Sequence, residues 1–163
     1  MQSGAGGLLG ALESLPLAVA MRHDLWLYPT VEIAHIAGFV ILVGSIFVLD
    51  LRLLGLSRTI RVSQLIRHVV PWSAGALLII VPTGLLMFVA HASDFLTNPA
   101  FQIKLALILT ALVNAALFHT RAHRSIAAWD RDVSVPVFAR VHGAASLAIW
   151  FGVLACGRLL AYV

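Results

Sequence analysis

The stretch PTVEIAHIAGFVILVGSIFVLDLRLL, residues 29–54, decides the fold. It is 26 residues long and almost wholly apolar. About 20 such residues suffice to cross the hydrocarbon of a bilayer as a helix. In hydrocarbon every backbone N–H and C=O must bond within the protein, so the segment reads as α-helix. Working outward, three more stretches have the same character: about His68 to His91, Pro99 to Thr120 and Pro136 to Tyr162. Pro29, Pro99 and Pro136 stand where first-turn prolines belong, because the missing N–H would have no helical partner there. Pro71 and Pro82 fall inside the second stretch, and Pro82, followed by Thr83 and Gly84, predicts a kink. The loops are short, which predicts antiparallel neighbours. The expected fold is therefore all-α, an integral membrane four-helix bundle of up-down topology forming one transmembrane domain over residues 1–163.

Composition agrees. Only 11% of the 163 residues are charged, against about 25% in a soluble domain, so lipid must cover what water cannot. The net charge of +4 does not mark a nucleic-acid binder, because the basic residues flank the apolar runs and form no basic domain. Arg52, Arg58, Arg61 and Arg67 gather at the first loop, and Arg121, Arg124, Arg131 and Arg140 at the third. Arg22, Lys104 and Arg158 lie on the other side. The positive-inside rule then expects both clusters in the cytoplasm and both termini outside. In a bacterium that means the inner membrane with periplasmic termini. Trp26, Tyr28 and Trp129 are expected as interfacial anchors. Residues 8–21 carry no signal-peptide pattern, and their near-helical apolar spacing predicts a short N-terminal interfacial helix.

The lone Cys156 excludes an intrachain disulfide and a thiolate metal knuckle. It reads as a small apolar helix residue. No hydrolase, zincin or nucleotide motif is present. The chemistry-bearing residues are histidines, and ionisable groups inside a membrane are functional candidates by default. By depth they divide into an outer pair, His35 with His91, and an inner group, His68, His119 and His142. Two imidazoles from different helices at one depth can ligate a b-type haem. The small residues Gly38, Gly75, Gly84 and Gly143 near them would leave room for a flat ring. The plainer alternative is that small residues serve helix packing and that edge histidines sit among headgroups. Lys104 is placed to neutralise a haem propionate, to pair with Asp94, or to snorkel to the interface. Glu32, three residues before His35, shares its face. Asp50 and Arg52 read as ion pairs with loop arginines. Asn114, mid-span, predicts an interhelical hydrogen bond. His119 and His123, four apart, share a face and could hold a metal. The first and fourth spans both read Pro, five residues, then His (Pro29 to His35, Pro136 to His142), a similar local use rather than a duplication.

The stretches from Ile33-Ala34-His35 to Leu49-Asp50-Leu51-Arg52-Leu53-Leu54-Gly55, and Asn98-Pro99-Ala100-Phe101-Gln102-Ile103-Lys104, resemble an uncharacterised family of small bacterial four-span membrane proteins, from about residue 25 onward. More distantly the chain resembles the copper-resistance protein D group and the small di-haem cytochrome b proteins. That likeness implies histidine-ligated haem, with His35, His91, His68 and His142 as its carriers. The chain departs from the di-haem pattern in the spacing of His68 and His91, which are 23 residues apart on one helix.

The expected function is a membrane b-type haem protein with two haems b, His35 with His91 on one and His142 with His68 or His119 on the other. It would pass electrons from a membrane donor such as quinol to a periplasmic acceptor or partner subunit. The alternatives are a metal-ion transporter or metal handler using His35, His91, His68 and His142, and an accessory subunit without chemistry of its own. Expected partners are the lipid bilayer, a quinone, a redox partner or subunit, or a second copy of the chain; nucleic acid is not among them.

Overall fold

The computed structural model describes residues 3–160 and 162. Two short helices, α1 (Ser3–Glu13) and α2 (Pro16–His23), precede four long ones: α3 (Leu27–Leu53), α4 (Val62–Ala90), α6 (Pro99–Ser125) and α7 (Val137–Leu159). A six-residue helix, α5 (Ala92–Thr97), links α4 to α6. The long helices are apolar and long enough to cross a membrane, and consecutive ones run antiparallel. We call the end with the links 54–61 and 126–136 the arginine-rich end, and the end with α1, α2 and α5 the terminal end. Large apolar side chains on the outer faces stay uncovered, Leu78 at 77% exposed and Leu109 at 64%; a bilayer would cover them.

Helix ends follow from local chemistry. The Asp24 carboxylate accepts the N–H groups of Trp26 (2.8 Å) and Leu27 (3.0 Å) at the start of α3. Asn98 Oδ1 accepts the N–H of Ala100 (2.9 Å) where α6 begins with Pro99. The N-terminal segment is two helices rather than one, because Pro16 offers no N–H to continue α1 and instead opens α2. The helix α4 begins at Val62, six residues before the expected start. Its first turn is capped from a distance: the Asp130 carboxylate accepts Ser63 N (2.7 Å) and Oγ (2.9 Å), a negative charge at a helix N-terminus. The same helix continues through Pro71 and Pro82, with the Thr83 hydroxyl donating to the Ile79 carbonyl (2.6 Å).

The packing is that of two hairpins. The pair α3–α4 is the most extensive, α6–α7 comes next, and α3 against α7 joins them. The Cα traces of α4 and α6 nowhere come within 8 Å of each other among the described residues; Phe88 and Phe101 bridge them by stacking. The core has three layers. Met21, Val31 and Ala90 lie at the terminal end, Leu42, Val43, Ala76, Ile80, Ala111, Trp150 and Val153 in the middle, and Leu49, Leu53, Val62, Phe118, Trp129 and Ala139 at the arginine-rich end. Trp129 is therefore no interfacial anchor. It is 4% exposed and donates its indole N–H to Ser125 Oγ (3.2 Å).

Asp50 and Arg52 correct a second expectation. Both are buried, but they form no ion pair with each other or with a loop arginine among the described residues. Side chains two apart on a helix do not face each other. Arg52 donates to backbone carbonyls of both links at this end, Ile60 (2.8 Å), Arg58 (3.2 Å) and Asp130 (3.2 Å), and so ties the two links together.

Candidate functional site

Two imidazoles are fixed across helix pairs. His35, half-buried on α3, sets Nδ1 against the Ile80 carbonyl (3.1 Å) and the Thr83 hydroxyl (3.0 Å) of α4. The hydroxyl already donates to Ile79, so the carbonyl is the acceptor that places a proton on Nδ1. Pro82 shapes this patch, because it cannot donate to the Leu78 carbonyl and loosens the local ladder. The imidazole lies over Gly84: a Cβ there would come within 3.1 Å of His35 Cε1. His142, half-buried on α7, forms a reciprocal pair with Asn114 of α6. Its Nδ1 is 2.7 Å from Asn114 Oδ1, and Asn114 Nδ2 donates to the His142 carbonyl (3.1 Å). This is the interhelical bond that Asn114 predicts, and its partner is one of the candidate histidines. The Pro-x5-His similarity thus ends in similar structures, one tethered imidazole within each hairpin.

A neutral imidazole that donates from Nδ1 presents the Nε2 lone pair. The same arrangement orients metal-ligating histidines in general. Neither Nε2 makes a hydrogen bond among the described residues.

The expected pairs are not brought together. His91 lies at the junction of α4 and α5, edge-on to Tyr28 (5.8 Å between ring centroids) and 3.6 Å from Asp94 Oδ2. His35 instead meets α4 between Ile80 and Gly84. Tyr28 precedes His35 by seven residues, so the two rings differ in depth by about 10 Å. His68 is exposed on the outer side of the α3–α4 hairpin, where it lines a groove with Gly44, Ser45 and Trp72. That is away from His142, which faces α6. His119 is half-buried, and its neighbour Phe118 has its ring centroid 5.8 Å from that of His119 and 6.1 Å from that of His142. The His123 side chain lies outside the described residues. Among the described residues no group of three or more His, Cys, Asp or Glu could hold a metal ion.

The expected glycine slots are mostly filled by protein. A Cβ at Gly38 would meet Ile80 Cγ1 at 2.8 Å, and one at Gly143 would meet Leu53 Cβ at 3.1 Å and the Asp50 carbonyl at 3.2 Å. The space at Gly84 holds His35 itself. Only Gly75 of these four opens on empty space. The reason is that small residues let helices approach, and the neighbouring helix takes the room they leave.

Lys104 neither pairs with Asp94, which approaches His91, nor lies along the surface. Its ammonium is 5.5 Å from the centre of the Phe39 ring on α3 and would be 3.6 Å from a Cβ at Gly157 on α7. It makes no ion pair among the described residues. Glu32 is exposed and takes no part in holding His35. Cys156 is buried, as a small apolar residue would be.

Sequence reasoning missed the tethers of His35. The signal was there in Pro82-Thr83-Gly84, read only as a kink. It also missed the burial of Asp50 against Ser146.

No curated protein and no solved structure matches the chain. A model described as "Family of unknown function (DUF6644)" matches residues 26–163, in keeping with the resemblance to small four-span proteins of no assigned activity. A match over that much of the sequence places the chain in this family, to which it belongs.

Proposed function

We propose that the protein is a membrane b-type haem protein carrying electrons between a membrane donor such as quinol and a periplasmic acceptor or partner subunit, from the bacterial inner membrane. The observation that carries this reading is the tethering of His35 and His142 through Nδ1, with Nε2 of each making no hydrogen bond among the described residues. The fit is partial, and it revises the ligand sets. His35 with His91, and His142 with His68, do not face each other, so two bis-histidine sites are not formed. If haem is bound, His35 would hold one toward the terminal end and His142 another toward the arginine-rich end. Haem iron would supply a one-electron couple. The chain's own part is to fix the imidazoles by Ile80, Thr83 and Asn114, and to place the Lys104 ammonium near His35 where a propionate needs a counter-charge.

The test is a visible absorption spectrum of protein produced with ample haem. A Soret band that weakens in His35→Ala and in His142→Ala, with helix content unchanged, supports the assignment. A colourless, folded protein overturns it.

A second reading has its own observation. Lys104 and Asp50, which make no ion pair among the described residues, occupy opposite halves of the bundle, where ionisable groups are candidates for a proton or ion path. Histidine- or Lys104-dependent ion flux into vesicles, with no haem bound, would favour it.

A further inference from the structure

The electron-carrier reading leaves Asp50 without a role. Asp50 is 4% exposed and sits at the seam where α3 crosses α7. The seam is close because α7 presents Gly143 to the backbone of Asp50. The Ser146 hydroxyl, itself buried, is the polar side-chain group set against the carboxyl. Oδ2 has no hydrogen-bond partner among the described residues.

An ionised carboxylate in such a place needs a cation, and among the described residues none forms an ion pair with Asp50. On α3, Arg52 spends Nε and Nη2 on the carbonyls of Ile60, Arg58 and Asp130. On α7, Arg140 makes no ion pair among the described residues, and His142 turns to Asn114 on α6. On α4, Arg67 and His68 are exposed. In the link before α7, the Asp130 carboxylate is held by Ser63. Taking a carboxylate out of water without a partner costs several kcal/mol, so the group keeps a proton instead. A metal cation does not fit, because it needs several oxygen ligands and no group of three or more His, Cys, Asp or Glu gathers here among the described residues. A proton needs a single oxygen.

We propose that Asp50 is a proton-binding site: a neutral carboxylic acid held at the α3–α7 seam, able to release its proton and take one up. This inference does not depend on haem. It gives the protein a second chemistry, about 22 Å along α3 from His35 at 1.5 Å per residue.

The experiment uses the full chain in detergent or nanodiscs. A hydrophobic carbodiimide takes the acid proton on nitrogen while the carboxyl oxygen adds to its central carbon, so the whole reagent mass is gained and nothing leaves. Peptide mapping should place the adduct on Asp50, with labelling falling as the buffer is made alkaline and absent from Asp50→Asn. The parent protein, which needs no variant to fold, should show an infrared acid C=O band that exchanges in heavy water and fades at high pH. Asp50→Asn should lack this band and melt with the parent, since one neutral group replaces another. Carbodiimide reaction at other carboxyls but not at Asp50, or an infrared spectrum with carboxylate bands alone at neutral pH, overturns the proposal.

Discussion

Arg52→Met removes the donor that holds the arginine-rich end together, and the size of its effect follows from who else serves the three carbonyls. The Ile60 carbonyl has Arg52 Nε at 2.8 Å as its donor. The Asp130 carbonyl also receives Val62 N (3.1 Å), and the Arg58 carbonyl also receives Asp132 N (3.0 Å). The substitution therefore strands one carbonyl and weakens two. A part-buried carbonyl left without its donor costs about 1–3 kcal/mol, and each shared hydrogen bond contributes about 0.5–1 kcal/mol. The total is about 2–5 kcal/mol, lowered somewhat because Arg52 Nη1, itself buried without a partner, is removed too. For a chain of this size each kcal/mol shifts the melting temperature by about 2–4 °C, so a fall of about 4–20 °C is expected. The assay is thermal unfolding in detergent followed by tryptophan emission, since Trp129 lies in the cluster that would loosen. Arg52→Lys keeps the charge and one point donor, and should lose about half as much. Arg58→Met is the control: Arg58 is exposed, donates only to the Gly55 carbonyl (3.2 Å), and should stay within about 0.5 kcal/mol. Arg52→Met melting with the parent, or Arg58→Met falling as far as Arg52→Met, would refute the reasoning.

Three further outcomes are expected. Gly143→Ala and Gly38→Ala push a Cβ against the α3–α7 and α3–α4 seams and should each destabilise by about 1–3 kcal/mol; Gly75→Ala, whose Cβ meets nothing, should be neutral or stabilise by up to about 1 kcal/mol, all read from melting curves. The Glu13 carboxylate accepts the Ser93 hydroxyl and N–H, which holds its pKa below the usual carboxylate value. Docking of α1 on α5 is thus fully supported above the unfolded carboxylate pKa and loses that support as pH falls through the lower folded one, so protection of the Ser93 amide from hydrogen exchange should drop on acidification, and Glu13→Gln should abolish that pH step. Asn114→Leu frees His142 Nδ1, and Gly84→Ala displaces the His35 ring. If haem binds as proposed, each should broaden or shift the visible bands of one site while helix content measured by circular dichroism holds; unchanged bands in both would count against the two histidines.

The four spans were legible because apolar length is a local property of the chain. What escaped was every feature set by a distant partner. The early start of α4 depends on Asp130, 67 residues away, which no window around Val62 contains. Trp129 looked like an anchor by its place beside a span, but the link folds back over the core and buries it. Arg52 looked like a partner for a carboxylate by its charge, but three carbonyls from two links surround it. Depth by counting along each helix paired His35 with His91. It failed because helix length alone does not say where one helix crosses another, and His35 crosses α4 at Gly84. Asn114 was legible because a lone amide in an apolar helix has little choice but to bond across it. Which group it would meet was not.

The tethers also say how the bundle divides its work. The His35 tether lies within the α3–α4 hairpin and the His142 tether within the α6–α7 hairpin. Each imidazole is held by the helix to which its own is most extensively packed, and each follows a proline by six residues. Neither tether crosses the seam between hairpins. That seam carries Asp50, Gly143 and Ser146 instead, with one carboxyl oxygen unbonded. Orientation of a ring demands rigidity, so it is built inside the hairpins, where contact is greatest. Exchange of a proton demands that a group be able to exist in two forms, so it belongs where two hairpins meet over fewer contacts. A small relative movement of the hairpins would change the surroundings of Asp50 while leaving both imidazoles in place.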